Sequence, residues 1–187
     1  MAKKKGNNYV IDKENNIAKI ELRRRHAENL WVTIDLEDLE KVINFPYTWF
    51  ALKYNSVVDD YYAGCSLYHP ELQQSRPYYM HQLILGEQTT DKRIDHINCD
   101  IRDNRKSNLR VVTISQNATN KTKRNKNNKS GYRNVSWSKG YNKWVVQLQI
   151  DGRNTVLKSF PYEQLEEAGR YAEEMRQKYY GEYAGNT

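Results

Sequence analysis

Asp95-His-Ile-Asn-Cys-Asp-Ile-Arg-Asp-Asn-Arg-Lys-Ser-Asn108-Leu-Arg-Val-Val-Thr-Ile-Ser-Gln-Asn117 is the stretch on which the fold turns. Arg93 to His96 reads as a strand, a loop dense in Asn, Asp and Arg follows, and Leu109 to Thr113 reads as a second strand. Thr113 with Gln116 matches a capping box that opens a helix. Side chains alternate along a strand, so Asp95 and His96 point to opposite faces and cannot both be ordinary core residues. If the strands pair as a hairpin, Asn108 comes close to His96, and Asn117 in the first helical turn can face Asp95. Asp and Asn supply oxygen ligands suited to a hard cation such as Mg²⁺ or Mn²⁺, and His suits general-base chemistry near neutral pH. An Asp-His pair beside an Asn-rich loop equally fits a hydrogen-bonded surface turn, and the spacing alone leaves both readings open.

Upstream, Tyr78 to Leu85 predicts a short helix that Gly86 terminates. Before it, Ile17 to Leu22 and Leu30 to Ile34 alternate as half-buried strands do, and Asp60 to Tyr68 is rich in the aromatics that strands favour. Between them Asp35 can cap a helix with Leu36, Leu39 and Ile43 on one face, ended by Pro46. Residues 1–75 therefore read as a β-rich accessory region. Downstream, residues 123–131 are polar and basic, a composition that buries too little apolar surface to fold alone, and predict a linker. Residues 132–187 resolve into strands at Val135 to Trp137, Trp144 to Ile150 and Arg153 to Phe160. Asp151-Gly152 supplies a type I′ hairpin turn between the last two. Pro161 then opens a helix whose Leu165, Ala168, Ala172, Met175 and Tyr179 recur at helical spacing.

The chain has 187 residues, which bounds it to one large domain or two or three small ones and excludes multi-domain enzyme machinery. Mean hydropathy is −0.97, and no apolar run approaches the length of about 18 residues that a membrane-spanning helix requires. A formal charge of +7 favours a polyanionic partner. Cys65 and Cys99 form no CxxC pair, which suggests a reducing compartment and argues against a thiolate zinc site. No apolar segment follows the amino-terminal lysines, so no export signal is expected.

The stretch from about Tyr79 to Asn120 closely resembles the HNH nuclease motif in the subgroup found in phage and intron homing endonucleases. The Asp-Asn-Arg and Asn-Leu-Arg-Val-Val-Thr phrasing carries the likeness as well as the polar positions. The resemblance implies a ββα-metal element over residues 76–122. His96 would be the general base and Asn108 would orient its imidazole, while Asp95 and Asn117 would hold one divalent ion per chain. Asn117 stands where other branches use His, which makes Mg²⁺ or Mn²⁺ a better fit than zinc. Arg102, Arg105, Lys106 and Arg110 would contact phosphates.

The carboxy-terminal zone looks like the plant apetala/ethylene-response-factor DNA-binding domain. Gly131-Tyr-Arg-Asn-Val-Ser-Trp137, Lys143-Trp144, Asp151-Gly152, Val156 to Phe160 and Tyr180 to Ala184 carry the likeness. That family lays a three-stranded sheet in the major groove. Carried over, Arg133, Trp137, Lys139, Lys143, Trp144, Gln147, Gln149 and Arg153 become DNA contacts, with Asn134 replacing a usual Gly. From Asn120 to Phe160 the chain has ten Lys or Arg and one acid, Asp151, and the linker cations Lys121, Lys123, Arg124, Lys126 and Lys129 join the expected interface. Together the readings give an α+β, metal-dependent, phage-encoded endonuclease in the bacterial cytoplasm. It would act on double-stranded DNA, without a membrane partner, as a monomer or alternatively a dimer. The rival readings are a non-catalytic DNA binder that keeps the nuclease scaffold and a protein of structured RNA.

Overall fold

The computed structural model describes residues 6–24, 28, 30–53, 60–86, 91–120 and 127–185. The chain divides into two compact units, Met1–Val112 and Thr113–Thr187. Both are built from small antiparallel sheets and short helices, an α+β architecture.

The first unit opens with β1 (Tyr9–Asp12), β2 (Ile17–Leu22) and β3 (Leu30–Asp35), a three-stranded sheet in that order. The alternation read in the sequence is realised: Ala18, Ile20, Leu22, Val32 and Ile34 are buried, and their neighbours along each strand are not. Asp35 does not cap a helix. A 3-10 turn over Leu36–Asp38 intervenes, and the helix α1 (Leu39–Ile43) buries Leu39 and Val42 while Ile43 stays exposed. The carboxylate of Asp35 instead accepts the backbone N–H of Lys106 at 2.7 Å. A second sheet pairs β4 (Phe50–Lys53), β5 (Tyr61–His69) and β6 (Gln74–Tyr79). Pro77, which lacks a backbone donor, is tolerated because β6 is an edge strand.

The helix expected from Tyr78 begins at Met80, since β6 runs through Tyr79, and it spans α2 (Met80–Leu85). The Gln82 side chain turns back to accept the Tyr79 N–H at 2.9 Å and closes the amino end. Then come β7 (Lys92–His96) and β8 (Leu109–Thr113), which pair with each other. One apolar cluster joins Ile20, Ile34 and Trp49 of the supposed accessory region to Met80, Ile84 and Leu109 of the motif. The boundary expected at residue 75 therefore falls inside a strand and inside a core, and the compact unit ends near Val112 instead of 122.

The second unit carries α3 (Ile114–Thr119), β9 (Val135–Ser138), β10 (Lys143–Ile150), β11 (Arg153–Phe160) and α4 (Leu165–Tyr180). The three strands form one antiparallel sheet with β10 central. Asp151 and Gly152 both have positive φ, 49° and 76°, as a type I′ turn demands. The sheet's inner face packs Val135, Trp144, Val146 and Phe160 against Ala168 and Ala172 of α4. Residues 123–126 of the expected linker lie outside the described residues. Its end is not loose: Ser130 is buried, its hydroxyl 2.9 Å from the Val135 carbonyl.

Because the motif shares its core with residues upstream, a fragment of residues 76–122 alone loses most of its apolar partners. It is expected to give the far-ultraviolet circular dichroism of an unfolded chain with no cooperative melt, whereas residues 1–112 melt cooperatively.

Candidate functional site

The chemistry-bearing residues of the first unit gather where β7 ends. Asp95, His96, Asn104 and Asn108 are all buried, at 7%, 4%, 1% and 6% exposure. So many buried polar groups require partners: the loop from Ile97 to Asn108 satisfies Asn108 from within, Arg110 of β8 pairs with Asp95, and Asn104 Nδ2 is left without a hydrogen bond among the described residues. Ile97 donates its N–H to the Asn108 carbonyl at 2.8 Å, and Cys99 to the His96 carbonyl at 2.9 Å. The Cys99 turn has φ of 61°, the left-handed region that a non-glycine residue enters only when its surroundings hold it there. The side chains of Asn98 and Asp100 accept the backbone N–H groups of Asp100 and Arg102 in turn.

Two edges of the loop are tied to the amino-terminal sheet. Thr33 of β3 donates its N–H to the Arg102 carbonyl at 2.9 Å and accepts the Asn104 N–H at 2.7 Å. Lys106 places its ammonium 2.6 Å from Glu37 and 3.1 Å from Asp38, which raises its pKa and lowers that of Glu37.

The Asn108 side chain serves the loop itself. Its Oδ1 accepts the Asn98 N–H at 3.0 Å and its Nδ2 donates to the Asp103 carbonyl at 2.8 Å. The side chain found at the imidazole is Asn104, whose Oδ1 lies 3.4 Å from His96 Nε2. Sequence spacing gave no sign of this residue beyond the Asp-Asn-Arg phrase that contains it. Asn117 lies on α3 in the second unit, half-buried, behind a helix start closed by the expected box: Gln116 N–H to Thr113 Oγ1 at 3.2 Å and Thr113 N–H to Gln116 Oε1 at 2.9 Å.

His96 does not stand alone. Its ring meets that of His81 edge to face at 5.3 Å, and His81 stacks on Tyr79 at 5.4 Å. Burial, followed by the neighbouring His96, pushes the His81 pKa down to about 3, so this imidazole is neutral at any working pH. Burial also lowers the His96 pKa, but Asn104 and then Asp95, Asp100 and Asp103 oppose the shift.

The four cations expected to meet phosphates are each engaged with carboxylates. Arg102 Nε lies 3.6 Å from Asp100, Arg105 Nη2 2.6 Å from Asp103, Lys106 reaches Glu37 and Asp38, and Arg110 Nη2 lies 2.9 Å from Asp95. Arg105 is the main cause that holds the Asp103 carboxyl below the usual range. Among the described residues, no three His, Cys, Asp or Glu side chains converge as a metal cage, and no helix is long and apolar enough to cross a membrane.

In the second unit, Arg133, Lys139, Gln147 and Gln149 line a groove of about 810 Å³ together with residues 127–130 and Asn154. Asn134 takes the left-handed conformation, φ 62°, that a Gly would adopt freely, and its amide donates to the Gln147 carbonyl at 3.1 Å. Lys129, Lys143 and Arg153 are exposed. Of the two tryptophans, Trp144 lies in the core, whereas Trp137 packs on that core and also lines the groove. Trp144 is buried with its indole N–H on the Tyr162 carbonyl at 2.9 Å, and half-buried Trp137 packs edge-on against it at 4.9 Å. Arg133 also has a structural task, donating to the carbonyls of Ala184 and Thr119. Lys121, Lys123, Arg124 and Lys126 lie outside the described residues.

The family model of HNH endonucleases matches residues 78–119, which supports an HNH endonuclease domain and points to a nuclease. No curated protein and no solved structure matches the chain.

The buried His81 has a measurable signature. Its folded pKa near 3 lies below the ordinary 6.5, so the unfolded chain protonates first, and the stability it contributes is present above about pH 6.5 and lost as pH falls toward 3. Between pH 7 and pH 4.5, wild type is expected to lose about 2–3 kcal/mol more than His81→Phe, measured by urea unfolding at both pH values.

Proposed function

We propose that the chain is a divalent-metal-dependent endonuclease of double-stranded DNA, with His96 as general base. The observation that carries this reading is the buried Asp95–His96 pair at the end of β7, inside the span matched by the HNH endonuclease family. Asn104 Oδ1 lies 3.4 Å from His96 Nε2, and the tautomer with its hydrogen on Nε2 would donate to that oxygen and keep the Nδ1 lone pair for a proton from water. His81 cannot compete for that proton, because burial keeps it neutral.

The donor set fits a hard cation. Asp95 is a buried carboxylate already facing a positive group, and Asn117 offers a neutral amide oxygen; neither is a soft ligand. On the first unit Asp95 would hold Mg²⁺ or Mn²⁺, which when bound would stabilise the charge that develops on the departing oxygen; Asn117, the second ligand the motif implies, belongs to the second unit. His96 then acts on water held at the site, and Asn104 fixes the ring that receives the proton.

The carboxy-terminal sheet is the proposed DNA reader, of the apetala/ethylene-response-factor kind. Its support is the groove where Lys139, Gln147 and Gln149 meet, cationic and amide-bearing as a phosphate and base-edge surface needs to be. With one site per chain a monomer nicks; a double-strand break needs a second chain or a second visit. Phage origin and a homing role rest on the motif's phrasing alone.

A plasmid-nicking assay tests the reading. Wild type is expected to convert supercoiled plasmid with Mg²⁺ or Mn²⁺ and not with EDTA. His96→Ala is expected to lose about 10²- to 10⁴-fold in rate while binding duplex as wild type does. Equal inactivity of both proteins with binding retained would favour the non-catalytic binder, and preference for folded RNA over duplex would sink the DNA assignment. Independently, Lys139→Ala should weaken duplex binding across sequences and reduce the slope of log affinity against log salt by about 1, read from binding isotherms at several salt concentrations.

A further inference from the structure

We infer that Arg110 is an internal counter-ion that occupies Asp95 in place of the divalent metal and releases it when a nucleic-acid phosphate arrives, so that metal and substrate bind cooperatively. The inference rests on the reading above in which Asp95 is the anionic ligand. Arg110 Nε donates to Asp95 Oδ2 at 2.9 Å, and Nη2 of the same guanidinium lies 2.9 Å from the same oxygen. The two side chains are 12% and 8% exposed, so the pair is screened little by water. Arg102, Arg105 and Lys106 engage Asp100, Asp103, Glu37 and Asp38, carboxylates outside the proposed ligand set. Arg110 differs from them in holding the ligand itself.

A guanidinium and a divalent cation on one carboxylate oxygen repel each other. Arginine does not deprotonate in proteins, so a change of pH cannot clear the oxygen. What clears it is a better anion, and a phosphodiester accepts a guanidinium's paired donors in matching geometry. A phosphate delivered beside β8 therefore draws Arg110 off Asp95 and opens the oxygen to the metal. Linkage makes the effect reciprocal: duplex raises metal affinity by the factor by which metal raises duplex affinity. Without DNA the carboxylate is closed by its own chain, which limits metal loading before substrate binds.

The test measures Mn²⁺ binding to the full chain by the electron paramagnetic resonance of free Mn²⁺, with cooperative thermal unfolding as the check that each variant folds. In the absence of DNA, Arg110→Met is expected to bind Mn²⁺ between about 5- and 150-fold more tightly than wild type, the usual range of such couplings. In a His96→Ala background, which keeps the DNA intact, adding a short duplex is expected to raise Mn²⁺ affinity by a similar factor after subtraction of Mn²⁺ bound by duplex alone. The doubly substituted His96→Ala, Arg110→Met chain should show no such rise. Equal or weaker Mn²⁺ binding by Arg110→Met overturns the inference, as does duplex that leaves Mn²⁺ affinity unchanged in His96→Ala; the latter measurement decides even if Arg110→Met does not fold. Asp95→Asn separates the two levels: Mn²⁺ affinity that survives this change sinks the metal reading of Asp95, whereas affinity that needs Asp95 but ignores Arg110 sinks only the counter-ion.

Discussion

Two hydrogen bonds at Thr33 hold the site in place. The loop from Ile97 to Asn108 is mostly polar, so hydrophobic burial contributes little to fixing its shape. Pairing its backbone to the edge of β3, through Thr33 with Arg102 and Asn104, fixes it with bonds of 2.9 and 2.7 Å. The same pairing drives Asn104 inward to 1% exposure beside the imidazole. Asp35, Glu37 and Asp38 hold the far end of the loop through Lys106. The amino-terminal sheet is thereby part of the site's framework, and it shares its core with the helix and strand that flank the motif.

Charge is divided between the units in a way that follows from this construction. Within the motif, each cation expected at phosphates has a carboxylate partner, so the site carries little net field of its own. The surplus lies further along, where ten Lys or Arg face a single acid between Asn120 and Phe160. A long-range pull on a polyanion arises from that stretch, and it weakens with salt. The motif's own guanidiniums reach a phosphate only by exchanging one anion for another. Such an exchange is selective for ligands that match the fork of the guanidinium.

What could be read from the sequence was local. The alternation of β2 and β3, the Thr113–Gln116 box, the Asp151-Gly152 turn and the strand ending at His96 each announce themselves within a few residues. What could not be read depends on distance along the chain. Lys106 meets Asp35 and Glu37 across 71 and 69 positions, and no local pattern encodes that meeting. β6 was hidden by Pro77, which marks an edge strand as readily as a break. The tryptophans misdirect for another reason. An indole among lysines suggests a nucleic-acid surface, but a three-stranded sheet on one helix has few large residues with which to fill its core, and Trp144 is taken for that purpose while Trp137 covers the core on one side and lines the groove on the other. Asn108 and Asn104 exchange tasks because both lie in one loop, and only the bridge at Thr33 decides which of them is turned toward His96.

The two histidines show how one buried neighbourhood yields two chemistries. Both lie under 10% exposed with their rings 5.3 Å apart, and burial disfavours the charged form of each. His81 has Tyr79 on one face and gains no carboxylate to offset that cost, so its pKa drops to about 3. His96 has Asn104 and a ring of three aspartates pulling the other way. Burial therefore acts almost unopposed on His81, whereas on His96 it is opposed from four sides. A base must accept a proton and then surrender it, which requires that the charged form be neither forbidden nor trapped. For the base proposed at His96, burial works against the charged form, while Asn104 and aspartates themselves paired with arginines work in its favour.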